Sequence, residues 1–345
     1  MSTPQPSLTP EASAAQLGFR IAWAYVGSSA LHAALELGLP DRLAAGPKPV
    51  AELARETGTN EDALYRVLRV LASLGMFEEQ TPRTFAANLP AQLLRAQPGT
   101  PRDILYFLTE PHHFRIHAEL LHTLRTGQPA VEKVMGKPVF EVFATDAAFG
   151  KVFNDAMTSM SALAIPAALE AFDFGDIRVL VDIAGGHGRV LTSILQRYPT
   201  MRGVLFDMEH VIAGAGPLIA DSGVADRCTT VTGDFFTAVP PGGDAYIMKH
   251  IIHDWDDDRS LTILRNIHRV LAGVPNGRVI LLESVIQPGN VPDFGKLIDM
   301  EMLLIPGGRE RTADEFQALF ARAGFELTRI VPTASPLSVI EAAAR

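Results

Sequence analysis

The chain has 345 residues, 47% hydrophobic and 20% charged, an ordinary globular composition with length enough for two domains. A net charge of −9 argues against a general nucleic-acid binder, which carries a basic face. The single cysteine, Cys228, excludes an internal disulfide and a cysteine-based zinc site, and suits the reducing cytoplasm.

Residues 1–13 lack the basic and apolar regions of a signal peptide and read as a flexible tail. From 14 to 110 helical spacing dominates, which predicts an all-α N-terminal domain. Two helices are expected around 14–38. The apolar run 21–39 is interrupted by Ser28, Ser29, His32 and Glu36, so it reads as a buried helix at an oligomer interface and not as a membrane span. A helix over 60–75 follows, with Leu64, Val67, Leu68, Leu71 and Leu74 on one face, Asn60 as its N-cap and Gly75 as its C-cap. With the preceding short helices and the segment 76–86, it predicts a winged helix-turn-helix. Arg66 and Arg69 on that helix are offset by Glu61 and Asp62, so packing and dimerisation are the better reading than DNA contact.

Residues 111–170 read as a helical linker and acceptor-pocket region, with Phe153 and Met157 among a series of aromatic and methionine positions at core-like spacing. His112, His113 and His117 lack acidic partners at metal-site spacing and read as packing or solvated groups. Glu110, Asp254, Asp256 and Asp257 read as solvated or capping residues.

Over 171–345 strands alternate with helices, the pattern of a doubly wound α/β domain. Strands are expected at 178–184, 203–207, 228–232, 244–249 and 277–283, with a terminal pair at 325–332 and 336–342. Polar residues gather where these strands end: Gly185, Gly186 and Gly188, then Asp207, Asp234, Lys249 to His253, and Glu283. In an open α/β sheet those ends face one crevice, so these scattered residues are expected to share a cleft. Arg189-Val190 after Gly188 excludes a phosphate-binding Walker loop. Leu191 stands where a dinucleotide fingerprint needs its third glycine. An acidic residue ending the second strand suits a ribose diol, and Asp234 an adenine amino group. An adenosyl ligand without phosphates satisfies the set.

The segments 181–188 (VDIAGGHG), 206–211 (FDMEHV), 233–236 (GDFF), 248–257 (MKHIIHDWDD) and 307–312 (GGRERT) resemble, in order, the plant caffeate-type, acetylserotonin and bacterial polyketide O-methyltransferases. The resemblance spans nearly the whole chain. It implies a Rossmann-like methyltransferase domain behind a helical, winged-helix-like dimerisation domain. The implied cofactor is S-adenosyl-L-methionine, leaving as S-adenosyl-L-homocysteine, with no metal. It assigns Asp182, Gly185, Gly186, Gly188, Asp207, Met208, Gly233, Asp234, Phe235 and Lys249 to the cofactor. His253 matches the general base, and Glu283 and Glu310 the flanking acids. Phe153, Met157, Met302 and Asp254 match acceptor positions. The implied partners are a small aromatic acceptor and a second copy of the chain through the N-terminal domain, with no nucleic acid and no membrane. The family's loop usually reads Asp-x-Gly-Gly-Gly-x-Gly, and here Ala184 replaces its first glycine, a change expected to be tolerated where no positive φ is needed. Other readings are methyl transfer to nitrogen, a relative without transfer activity, a ligand-sensing DNA-binding regulator and a nicotinamide oxidoreductase.

Overall fold

The computed structural model describes residues 9–97 and 99–345; residues 1–8 of the expected tail lie outside them. The chain divides into two compact units between Phe114 and Arg115.

The first unit opens with one helix, Pro10–Glu36, where two were expected. Thr9 caps it, its hydroxyl accepting the Ala12 N–H at 3.2 Å, and Pro10 occupies the first turn, where no N–H is needed. Gly27 and Ser28 do not break it, because each costs a helix only about 1 kcal/mol or less and Ser28 Oγ donates back to the Ala24 carbonyl. Its N-terminal half is not buried within the chain: Leu17, Phe19, Ile21, Trp23 and Tyr25 are exposed, while Ala30, Ala34 and Leu35 are buried. Helices Val50–Thr57 and Glu61–Ser73 pack Leu53, Leu64, Leu68 and Leu71 into one core with Leu39 and Phe85. A small antiparallel sheet of β1 (Lys48–Pro49), β2 (Glu78–Thr81) and β3 (Thr84–Ala86), in the order β1-β3-β2, supplies the wing. Glu110, expected in solvent, is buried. Its two oxygens meet Nδ1 of His112 at 2.6 Å and Nδ1 of His113 at 3.1 Å, partners brought to it by the turn into the next helix.

The second unit is built on a seven-stranded sheet. Its strands are β4 (Val179–Ile183), β5 (Arg202–Asp207), β6 (Cys228–Thr232), β7 (Ala245–Lys249), β8 (Arg278–Glu283), β11 (Phe325–Pro332) and β12 (Ser338–Ala344). The spatial order is β11-β12-β8-β7-β4-β5-β6. Strands β4 to β8 run parallel, and β12 lies antiparallel between β8 and β11. Alternate residues bury opposite faces: Leu180, Leu205, Ile247 and Ile280 pack with helix Arg189–Arg197, whereas Val181, Ile183, Tyr246 and Leu281 pack with helices Asp257–Leu271 and Ala313–Ala323. The chain leaves β4 toward β5 on one side and returns to β7 on the other. That reversal opens the crevice at the carboxyl ends of β4 and β7.

The loop after β4 fills one side of this crevice. Gly186 and Gly188 have φ of 61° and 89°. Gly185 is required for space, since a Cβ there would stand 2.5 Å from the Asp182 carboxyl and the Leu205 side chain. At Ala184 the condition set for tolerating alanine is not met: its φ is positive, 53°, and its N–H is held on the Phe206 carbonyl at 2.8 Å. The β4–β5 pairing forces this left-handed turn, which carries a Cβ penalty of about 1–2 kcal/mol for a residue other than glycine. Ala184→Gly is therefore expected to stabilise the protein by about 1 kcal/mol, less the added freedom of the unfolded chain, without loss of cofactor affinity. Urea unfolding measures it, and a destabilised variant would contradict the strain.

Candidate active site

Beyond Lys249, at the end of β7, the chain makes a tight turn. His250 has a φ of 54°, and residues Ile252–Asp254 form a single 3₁₀ turn. This turn satisfies few of its own polar groups, and neighbouring segments supply the partners. Glu283, the last residue of β8, accepts the N–H groups of Ile251 and Ile252 through Oε1, both at 3.0 Å. The short strands β9 (Val285–Ile286) and β10 (Arg311–Thr312) pair in parallel, which brings Glu310 alongside Glu283. Glu310 Oε1 lies 2.7 Å from His253 Nδ1, and Glu283 Oε2 3.7 Å from the same nitrogen. Asp299, on helix Phe294–Leu304, accepts the Glu310 N–H at 2.8 Å.

His253 is buried at 7% exposure, and both of its acids are buried as well. With Nδ1 committed to the glutamates, Nε2 is the ring atom left for chemistry, and Asp254 Oδ1 stands 3.5 Å from it. Burial pushes the Glu283 carboxyl up to about 7 and Glu310, beside Asp299, up to about 8. Asp254, expected in solvent or at a cap, is half-buried, and loss of water, with Glu283 and Glu310 nearby, pushes its carboxyl up to about 7. Burial lowers Lys249, which Glu283 and Asp182 partly offset.

His250 stacks on His253, ring centroids 4.7 Å apart and planes 6° from parallel. Burial, with Lys249 and His253 beside it, holds His250 well below the usual histidine range. His250, His253 and Glu283 place possible ligand atoms within 4.8 Å of one another. In parallel rings the nitrogen lone pairs run side by side and do not converge, and the Lys249 ammonium lies 3.4 Å from His250 Nδ1. This donor set suits a stacked pair better than a metal.

Across the crevice, Asp207 Oδ2 accepts the Gly186 N–H at 2.8 Å and Oδ1 the Met208 N–H at 2.7 Å. Burial raises its carboxyl. Asp182 is buried and pushed up to about 7 by burial and by Asp207, with one oxygen lacking a hydrogen bond. Gly233 passes so close to the Phe206 ring that a Cβ would meet it at 2.7 Å. Asp234 caps its own turn, accepting the Phe236 N–H at 2.8 Å, and Phe235 meets Trp255 edge-on at 6.2 Å. The cradle fits an adenosyl sulfonium on three grounds: glycines that a side chain would fill, a carboxylate at the diol position, and raised acids that a cation would relieve. Phe153 and Met157 stand one turn apart on helix Ala147–Ala171, and Phe153 stacks on Phe143 at 4.2 Å. Met302 sits on the Asp299 helix, its carbonyl accepting the N–H groups of Gly307 and Gly308. Asp256 is a cap as expected, whereas Asp257 holds the buried Arg311, to which the sequence pattern assigned nothing.

Residues 117–326 match the family model described as an O-methyltransferase domain, and residues 19–96 match the O-methyltransferase dimerisation domain. The chain belongs to the O-methyltransferase family. It is an S-adenosylmethionine-dependent enzyme, with the dimerisation domain and Rossmann-like domain of that family. It is 42% identical over 320 residues to the phenazine O-methyltransferase PhzM of Lysobacter antibioticus, covering 92% of this chain and 93% of that one. It is 32% identical to the 8-amino-8-demethylriboflavin N,N-dimethyltransferase of Streptomyces davaonensis, covering 98% of each. The structure of CalO1, a methyltransferase in calicheamicin biosynthesis in its SAH-bound form, superposes with a TM-score of 0.87 at 33% identity, over 98% of this chain and 100% of that one.

Because Glu283 is held protonated by burial to about pH 7, its ionisation destabilises the folded state. The folded carboxyl keeps its proton where the unfolded one has lost it, so stability falls as pH rises from about 4.5 to 7 and is level above. Glu283→Gln in the cofactor-free enzyme should therefore gain stability over the parent as pH rises from 5 to 8, by on the order of 2 kcal/mol, read as a widening difference in melting temperature. A constant difference across that range would remove the buried-acid account.

Proposed function

We propose that the enzyme methylates a hydroxyl of a small aromatic molecule without a metal, with His253 as general base. The observation that carries this is the 2.7 Å link between His253 Nδ1 and Glu310, which leaves Nε2 as the ring nitrogen not engaged by a glutamate. When bound, S-adenosylmethionine supplies a methyl group on a sulfonium that a phenolate attacks in line. A phenol is a poor nucleophile, so a base must take its proton, a contribution of about 10²–10⁴-fold. His253 does so at Nε2 while Nδ1–H stays bonded to Glu310, which stabilises the imidazolium as the acid of a serine-protease triad does. Glu283 holds the turn through the Ile251 and Ile252 N–H groups.

In this reading Asp182, Gly185, Gly186 and Gly188 shape the methionine side of the cofactor site. Asp207, with Met208 beside it, takes the ribose, and Gly233, Asp234, Phe235 and Lys249 the adenine side. Phe153, Met157, Met302 and Asp254 face the acceptor, where thioether and aromatic surfaces suit a flat molecule. The N-terminal domain pairs two copies through the exposed apolar half of the first helix. The acidic balance and the absence, among the described residues, of a helix long and apolar enough to cross a membrane support a cytoplasmic enzyme without nucleic-acid partners. A relative acts on an amino nitrogen by its name. The base–acid pair favours oxygen here, since an aromatic amine attacks with a lone pair it already has.

A panel of phenolic acceptors with labelled S-adenosylmethionine tests the proposal. His253→Ala should lose about 10²–10⁴-fold in kcat with S-adenosylhomocysteine affinity unchanged. In the parent enzyme kcat should rise with pH, because burial resists the ionised Glu310 that the Nδ1–H form of His253 requires. Full turnover by the alanine variant across pH 6–9 would overturn the base assignment.

A further inference from the structure

We propose that Arg311 is a positioning residue for the reaction: its guanidinium, together with the Gly308–Arg309 backbone, sets the place of the His253 ring. The inference rests on the reading of His253 as base. Among the described residues Arg311 is the largest fully buried side chain. Nη1 donates to the Ile252 carbonyl at 3.2 Å and Nη2 to the Trp255 carbonyl at 3.1 Å, the two carbonyls that bracket His253 and Asp254. Nη2 also reaches Ser260 Oγ at 3.3 Å, a hydroxyl that itself donates to the Ile252 carbonyl. Asp257 Oδ1 takes Nε at 3.2 Å and Nη2 at 2.9 Å, which fixes the plane of the fork. Between the Ile252 and Trp255 carbonyls, that of His253 accepts the Arg309 N–H at 2.8 Å. Gly308 makes that approach possible, because a Cβ there would be driven into the His253 carbonyl oxygen and the Asp254 backbone.

The turn over residues 251–255 is thus held from outside on both sides. Glu283 takes the N–H groups of Ile251 and Ile252, and Arg309 and Arg311 take the carbonyls of Ile252, His253 and Trp255. Glu310 lies between Arg309 and Arg311, so one short segment fixes both the backbone beneath His253 and the acid on its ring. A fork that engages two carbonyls and a carboxylate in one plane does what a lysine, as a point charge, does not. A displacement of about 1 Å at a reacting group costs on the order of 10²-fold in rate, so loosening this clamp shows in kcat before it shows in binding.

Arg311→Lys keeps the charge and removes the fork, and Gly308→Ala presses on the same turn without touching any charge. Each is expected to lower kcat about 10–100-fold on the best phenolic acceptor. The acceptor KM, and the S-adenosylhomocysteine Kd from calorimetry, should stay within about threefold. If Arg311 acts through His253, the double variant His253→Ala/Arg311→Lys is no slower than His253→Ala alone. The proposal is overturned if both single variants keep kcat within about twofold of the parent. It is also overturned if kcat falls only in step with cofactor affinity and folded fraction, or if the double variant is slower than a crippled His253→Ala. Undiminished turnover by His253→Ala removes instead the base reading on which the inference stands.

Discussion

The buried contact between His253 Nδ1 and Glu310 Oε1 is the constraint on which the rest of the second unit depends. A carboxylate out of water is costly unless it is paired and hydrogen-bonded, and an imidazole beside it gives that pairing only in one ring orientation. Much of the local structure is the consequence. Helix Phe294–Leu304 offers Asp299 to the Glu310 N–H, β10 lies against β9, and Gly308 has no side chain because the His253 backbone passes there.

A second constraint is electrostatic. Asp182, Glu283 and Glu310 are buried and Asp254 half-buried, all four are raised, and the half-buried Lys249 is the cation among them. Such a concentration of raised acids is a poor choice for stability alone and a good one for receiving a positively charged methyl donor. The strain at Ala184 and His250, both at positive φ and both directly after a strand of the central sheet, belongs to the same crevice. Backbone in that region persists only where surrounding contacts over-determine it. Here those contacts are the Ala184 N–H on the Phe206 carbonyl and the His250 N–H on the Leu282 carbonyl.

The two units answer to different physics. The second is organised by a parallel sheet whose every strand must be covered on both faces. The first is organised by helix packing around Leu39, Leu53 and Leu68, and leaves the apolar half of its long helix without cover inside the chain. The dimerisation-domain match falls on that unit, and an uncovered apolar face is what such a domain requires.

Local rules made much of this legible in the residues alone. Apolar runs ended by glycine or acid marked β4 to β8 to within a residue or two, because a buried parallel strand and a polar carboxyl end are near-neighbour properties. The glycine loop, Asp207 and the sharing of one crevice by residues as far apart as Gly185 and His253 follow from strand order in an open α/β sheet. Other features needed coordinates, since each depends on what lies beside a residue in space. Ala184 has a positive φ because β5 is its neighbour, and Glu110 is buried because two histidines turn back on it. Asp257 and Arg311 meet across 54 positions of chain. Sequence by itself determined which polar residues fall on the carboxyl edge of the sheet, because periodicity and chain order are local. Only the tertiary structure decided which nitrogen of His253 is left free, what holds the turn beneath it, and where the backbone is strained, because those follow from contacts between segments far apart in the chain.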